Sequence, residues 1–361
     1  APLITICFLT TYAFINLVVL IEQGLGLISF RPRLRIPLWL PFIGAVGSFF
    51  AMLVINPSLS IAAIFILFFV YSILTRRKSF ENEGDVRGNL FIAMAQWAAR
   101  IAIELPQSEA RAWLPHPVSP ILDNQKSRLA LELAIDIAAP RGSIKLLRLG
   151  QNSDSEPKLH NLLSEIRQHD VFCTGTSIQI EDRASGLIAS IQALQGAFFR
   201  PNILSLGTDD GFTPNELSEI IKAAREAKMG VILRGATEKQ DFTGDINVWI
   251  RPQSPLWEIE IAQKAGNLDL ALLLAIRLAK CHNMQICLLT TLSNSEETEL
   301  AKKYLHSIID RGRLPKGTTS IAIEGKFKKA IHSHNKENVQ ILGLPMPFNN
   351  DFVEEITNNT Q

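Results

Sequence analysis

Several short stretches of this sequence carry residue types that could do chemistry. Tyr12 and Asn16 stand four apart in an otherwise apolar run, which puts both on one face of a helix. A phenol is a neutral donor, and an amide both donates and accepts, so that face can hold a polar ligand or a neighbouring helix. Thr174-Gly175-Thr176-Ser177 offers hydroxyls that could contact phosphate at a turn, and reads more simply as a polar stretch within or beside a strand. His332-Ser333-His334 resembles half a metal site, but no cysteine or carboxylate constellation completes it, and a solvated loop is the reading taken. Asp209-Asp210-Gly211 reads as a turn before a helix that Thr213 caps and Pro214 opens. Gly24-Leu25-Gly26 with Ser29 imitates a dinucleotide fingerprint, but no strand precedes it, so it reads as a helix end. There is no Walker loop and no nucleophile–base pairing. The expectation is a protein that is not an enzyme, with no catalytic residues, no metal and no cofactor.

The elements that position these residues fall into two parts. The chain of 361 residues is 47% hydrophobic and 20% charged, with net charge +1. From Ala1 to Thr75 the only charged residues are Glu22, Arg31, Arg33 and Arg35, whereas from Arg76 onward charges of both signs are frequent. A near-zero net charge argues against a nucleic-acid binder. The cysteines Cys7, Cys173, Cys281 and Cys287 form no C-x-x-C pair, which fits a reduced compartment. Leu3–Ile21, Leu38–Ile55 and Leu59–Leu74 are uncharged. With flanking residues each approaches the ~20 needed to cross a bilayer. They predict three transmembrane helices over 3–21, 37–56 and 58–75 within a region 1–78. The loop Arg31-Pro32-Arg33-Leu34-Arg35 and the run Arg76-Arg77-Lys78 place those sides in the cytoplasm, and the uncharged turn Asn56-Pro57-Ser58 outside. The chain begins at Ala1 inside an apolar stretch, so it reads as a fragment with further spans upstream. Thr5, Thr10 and Thr11 can bond their own helix backbone. Gly44, Gly47 and Ser48 form a small-residue surface for close helix contact.

Residues 79–122 read as a linker. It holds an amphipathic helix, Leu90–Leu105, and a connector rich in proline at Pro106, Pro115, Pro117 and Pro120. From 123 to 361 strand-like runs alternate with helical ones. Strands are expected at Ile144–Leu149, Val171–Ile180, Asn202–Leu206, Val231–Arg234, Asn247–Ile250, Gln285–Thr290, Thr319–Ile323 and Val339–Leu342. Helices are expected at Gln125–Ala138, Lys158–His169, Ala184–Leu194, Pro214–Lys228, Leu268–Lys280 and Ser295–Arg311. The fold class is therefore an α-helical transmembrane segment followed by an α/β cytoplasmic domain with a mostly parallel sheet. No internal sequence repeat is visible.

The sequence resembles the cation–chloride cotransporters over most of its length. Phe8 to Leu17, F-L-T-T-Y-A-F-I-N-L, is similar to their tenth span, and Arg31–Arg35 to a W-R-P-x-[FY]-[KR] loop without the Trp. Met52–Asn56 resembles the turn between the last two spans. Asp85-Val86-Arg87-Gly88 resembles the start of the first cytoplasmic helix, and Trp113-Leu114-Pro115 a W-R-P element. Arg200–Gly207, Asp245–Trp249 and Val339–Pro347 resemble K-P-N-x-[LV]-x-[LM]-G, N-I-D-V-W-W and V-L-L-N-M-P-x-P. The resemblance implies a multi-pass protein of the cell or plasma membrane. It implies electroneutral symport of chloride with potassium, sodium or both. It implies a homodimer whose cytoplasmic domain, 123–361, is regulatory. It also implies that Tyr12 lines the chloride site and that the cation sites lie on spans upstream. The short cytoplasmic domain, without a long phosphorylatable insert, suggests a microbial or minimal member. The alternative reading is a membrane-anchored α/β domain that senses a nucleotide or is an enzyme.

Overall fold

The computed structural model describes residues 2–25, 36–76, 92, 94–101, 114–121, 125–150, 156–208, 210–235, 244–258, 268–334, 338–345 and 348–359. The chain divides into two compact units, Ala1–Ser108 and Glu109–Gln361. The loop Arg31–Arg35, the run Arg77-Lys78, Asp85–Gly88 and Trp113 lie outside the described residues, as does most of the linker.

The first unit is built on α1 (Pro2–Leu25), α2 (Trp39–Ile55) and α3 (Pro57–Arg76). Pro57 opens α3, where a missing N–H costs nothing. Asn56 caps it, its side chain accepting from the Leu59 amide at 3.0 Å. The Ser60 hydroxyl donates back to the carbonyls of Met52 (2.6 Å) and Asn56 (2.8 Å), which clamps the turn between α2 and α3. On α1 the threonine hydroxyls satisfy themselves within the helix. Thr10 donates to the Ile6 carbonyl at 2.7 Å and Thr11 to Cys7 at 3.0 Å. Most large apolar side chains of this unit point outward: Phe8, Phe50, Val54, Phe65, Phe68 and Phe69 are all more than 60% exposed. Among the described residues, only Pro2–Ile21 is a helix long and apolar enough to cross a membrane, by length and composition. The apolar parts of the other two, Trp39–Ile55 and Pro57–Phe69, are shorter.

The second unit alternates strands and helices: β1 (Pro117–Ile121), α4 (Gln125–Ala138), β2 (Ser143–Gly150), α5 (Glu156–Arg167), β3 (Phe172–Gln179), α6 (Arg183–Leu194), β4 (Ile203–Gly207), α7 (Pro214–Glu226) and β5 (Gly230–Arg234). There follow β6 (Ile246–Trp249), α8 (Leu268–His282), β7 (Ile286–Leu292), α9 (Thr298–Gly312), β8 (Thr319–Glu324), α10 (Phe327–Ser333), β9 (Val339–Leu342) and α11 (Asn350–Asn359). Local chemistry sets the helix starts. Thr213 and Glu216 form a reciprocal capping box with Pro214 in the first turn of α7. The Asp182 carboxylate accepts from the amides of Ala184 and Ser185 at the start of α6.

Every strand pairing is parallel, as expected, but the strands form two sheets rather than one: a five-stranded sheet ordered β3-β2-β1-β4-β5 and a four-stranded sheet ordered β8-β7-β6-β9. The second repeats the order of the first, with β6, β7, β8 and β9 in the places of β1, β2, β3 and β4. Nothing in the sequence advertises this repeat, because strand order depends on pairing and not on local pattern. The two sheets share a core. Leu133 and Ile137 of α4, with Ile203 and Ile232, join Ile246, Val248, Leu288, Ala275, Leu278 and Leu305 in one buried cluster. On the five-stranded sheet, Val118, Leu147, Leu204 and Leu206 meet Leu187, Ile191, Leu217 and Ile220 on one face. Ile144, Leu146 and Cys173 meet Leu131, Leu159 and Ile166 on the other. Each such side chain withdrawn from water contributes ~1.5–3 kcal/mol.

One strand was not expected. β1 lies inside the proline-rich connector, yet it is the central strand of the five. It pairs with β2 over 118–121 and with β4 at 117–118. Proline is normally confined to edges because it cannot donate to a ladder. Here Pro117 is the first strand residue, and the strand is short. Asn202 supplies bonds just before it: its amide and side chain hold the backbone of residues 114–116. Gly142 allows the chain to enter β2 close to this segment, since a Cβ there would stand 2.3 Å from the Pro115 carbonyl oxygen.

Candidate functional site

Tyr12 and Asn16 stand one turn apart on α1, and the two residues do different things. The Asn16 amide donates to the Tyr12 carbonyl at 2.9 Å. Its side chain also lies where a Cβ on Gly44 would be, 2.7 Å from Asn16 Cγ and Oδ1. Gly44 is therefore the small residue that lets α2 approach α1. Gly47 is not part of that contact: a Cβ there would meet nothing within 4 Å. Tyr12 projects outward and is 57% exposed, so its hydroxyl is available to a partner beyond these helices.

In the α/β unit the other candidates dissolve into structure. Thr174–Ser177 lies in β3, the edge strand of its sheet. Gly175 is there because α5 packs close, a Cβ meeting Leu159 at 3.0 Å and Leu163 at 3.2 Å. His332 and Ser333 end helix α10 rather than forming a loop, and His334 caps it. The expected loop is overturned because Ala330 and Ile331 are buried in a core with Trp249 and Leu289, an apolar pairing that the two histidines concealed. Among the described residues no group of three or more His, Cys, Asp or Glu could hold a metal ion. Asp210 accepts the Gly207 amide at 2.7 Å and so closes its turn. All four cysteines are free. Burial pushes the thiols of Cys173 and Cys287 up, and burial with the neighbouring Asp136 does the same for Cys281. Raised thiols are poor nucleophiles.

Two polar clusters were not legible in the sequence. The first joins the two halves of the unit: His282 Nε2 lies 2.9 Å from an Asp136 carboxylate oxygen, and Arg277 donates to the Ala139 carbonyl at 3.4 Å. The second lies where β1, β2, β3 and β4 begin. His116 Nδ1 is 2.7 Å from the Ser143 hydroxyl. Burial lowers the His116 pKa from its ordinary value, and the nearby Lys145 cation lowers it further. Lys145 is itself lowered by burial. Phe199 packs against His116, its ring 5.7 Å from that imidazole, 5.4 Å from Phe172 and 4.9 Å from Phe198. A pair of aromatics in the turn Phe198-Phe199-Arg200-Pro201 is the one sequence signal that could have marked it.

The chain thus carries a parallel α/β unit that follows apolar helices in sequence. Family models of the prokaryotic cation–chloride cotransporter C-terminal domain match here, its first part over residues 119–242 and its second over 243–361. The division falls between β5 and β6, where one sheet ends and the next begins. The chain belongs to the cation–chloride cotransporter family. It is 25% identical over 279 residues to potassium/chloride cotransporter 3 of Caenorhabditis elegans, an alignment covering 69% of this chain and 26% of that protein. The chain thus spans about a quarter of the length of that relative. Its fold is like that of the crystallised cytoplasmic domain of a prokaryotic cation–chloride cotransporter, with TM-score 0.59 and 24% identity, covering 69% of this chain and 93% of that one. A universal stress protein of Pseudomonas aeruginosa aligns with TM-score 0.47 and 13% identity, over 68% of this chain and 90% of that one.

Proposed function

We propose that this chain is part of an electroneutral secondary transporter moving chloride with potassium, sodium or both. In this reading α1, α2 and α3 cross the membrane, with Arg31–Arg35 inside and Asn56–Ser58 outside. The unit from Glu109 onward is a cytoplasmic, non-catalytic domain that regulates and dimerises the carrier. The observation that carries the reading is the family match across residues 119–361, joined to an upstream helical unit whose apolar side chains face outward. In water such a surface would be unstable, whereas lipid or neighbouring apolar helices would accept it. The cation sites belong to spans before this chain, and the protein resides in the cell or plasma membrane.

Tyr12 is the chloride ligand in this proposal. A neutral phenol can bond an anion without a counter-charge that would trap it, which suits a carrier that must release its ion. Asn16 is assigned to helix–helix packing instead, because its side chain bonds the Tyr12 carbonyl and is wedged against Gly44. The test is Tyr12→Phe in the full-length carrier, which removes one oxygen. Losing a bond to a charged partner costs ~1.5–3 kcal/mol, or roughly ten- to hundred-fold in chloride affinity. Unchanged chloride dependence of ion uptake, in a variant that folds and reaches the membrane, would remove Tyr12 from the site. The dimer is tested separately, by sedimentation of the fragment Glu109–Gln361 and of the full protein. A dimer is expected, and strictly monomeric behaviour of both at high protein concentration would refute it.

A further inference from the structure

The beginning of the five-stranded sheet is an exposed aromatic face ringed by cations. Phe172, Phe198 and Phe199 are 55%, 53% and 40% exposed, yet they touch one another across β3 and the approach to β4. Three clustered phenylalanines left in water mark an interaction surface. Around them Arg141 and Lys228 stand in the turns leading into β2 and β5, Arg200 precedes β4, and Arg167 and Arg225 end α5 and α7, all exposed. The exposed acids in the same turns and helix ends are Asp170 and Glu226, while Glu165 is occupied by Arg128 at 2.7 Å. Cations that end helices also answer the helix dipoles, but that does not account for the phenylalanines. Leu114 and His116 are pinned to Asn202, three residues beyond Phe199.

We propose that this edge is a membrane-binding face and that its occupant is an anionic lipid bilayer. The phenylalanine rings seat at the boundary of headgroups and acyl chains, and the surrounding Arg and Lys side chains bind lipid phosphates. The chemistry decides the occupant. An apolar centre with a net-positive rim is complementary to an anionic bilayer surface, which attracts basic groups and takes aromatic side chains at its interface. The choice rests in part on the proposed membrane attachment of the upstream helices. Its test does not need them, so the two readings fail separately.

The unit Glu109–Gln361 is compact on its own, and the solved relative is such a domain by itself. It can therefore be mixed alone with vesicles of phosphatidylcholine, and with vesicles containing about one-third phosphatidylglycerol. Co-sedimentation with the anionic vesicles at low salt is expected, weakening as salt screens the charges, with little binding to phosphatidylcholine alone. The triple variant F172S/F198S/F199S should lower the partition at least about ten-fold, since it removes the apolar insertion. R141E/K228E should lower it comparably and flatten the salt dependence. Circular dichroism and unfolding midpoints confirm that each variant is folded. No binding to anionic vesicles, or a triple variant that binds as the parent does, overturns the proposal. So does a parent that ignores vesicles but becomes monomeric when the phenylalanines are replaced, because a second copy of the chain would then cover the face.

Discussion

Asn202→Ala in the fragment Glu109–Gln361 tests how the unexpected strand β1 is held. The Asn202 side chain accepts from the His116 amide at 2.8 Å and donates to the Leu114 carbonyl at 2.7 Å. Its own amide donates to the His116 carbonyl at 3.1 Å. Truncation removes the two side-chain bonds, leaving the His116 amide unpaired in a half-buried place and the Leu114 carbonyl to solvent. At ~0.5–1.5 kcal/mol per bond the loss is about 1–3 kcal/mol. For a unit of this size each kcal/mol moves the midpoint by ~2–4 °C. Asn202→Asp should cost more, since it keeps an acceptor for His116 but sets a carboxylate against the Leu114 carbonyl. Chemical unfolding measures the loss, and hydrogen exchange locates it: protection should fall first at His116 and in β1, before the strands of the second sheet. An Asn202→Ala variant with an unchanged unfolding midpoint and unchanged exchange in β1 would refute the idea that this side chain anchors the strand.

Two further outcomes are expected. His116 has a folded-state pKa below the ordinary 6.5, so the unfolded chain takes up protons first as pH falls. Its contribution to stability is complete above about 6.5 and is lost as pH drops through the lowered value. Unfolding of the α/β unit followed from neutral to acidic pH should show this loss, and His116→Gln should reduce that part of the slope; identical pH profiles would count against it. In the helical unit, Gly44→Leu should lower the thermal midpoint of the full-length protein by driving its side chain into Asn16, whose atoms already lie 2.7 Å from a Cβ at that position. Asn16→Ala should rescue part of that loss, and strictly additive effects of the two substitutions would show that they do not touch.

Much of this protein was written locally in its sequence. The change in charge after Thr75 separates the apolar helices from the α/β unit, because the two parts differ in composition residue by residue along the chain. Strands β2 to β9 fall where β-rich runs alternate with helical ones, and Thr213-Pro214 marked the start of α7, since caps and periodicities act over a few residues. The small residue Gly44 declared a close helix contact, although only the fold shows that Asn16 fills it and that Gly47 takes no part.

Tertiary structure alone decided the rest. β1 contradicts its own prolines, and its place in the centre of a sheet comes from β2, β4 and the distant Asn202. The division into two sheets of matching strand order follows from which strands pair, and no local pattern encodes a partner. His332 reads as a polar tract, yet it sits on a helix held by its apolar neighbours Ala330 and Ile331. Phe172, Phe198 and Phe199 look like core residues when read singly. They form a surface only because parallel strands bring all their beginnings to one edge, where turns separated by many residues along the chain become neighbours.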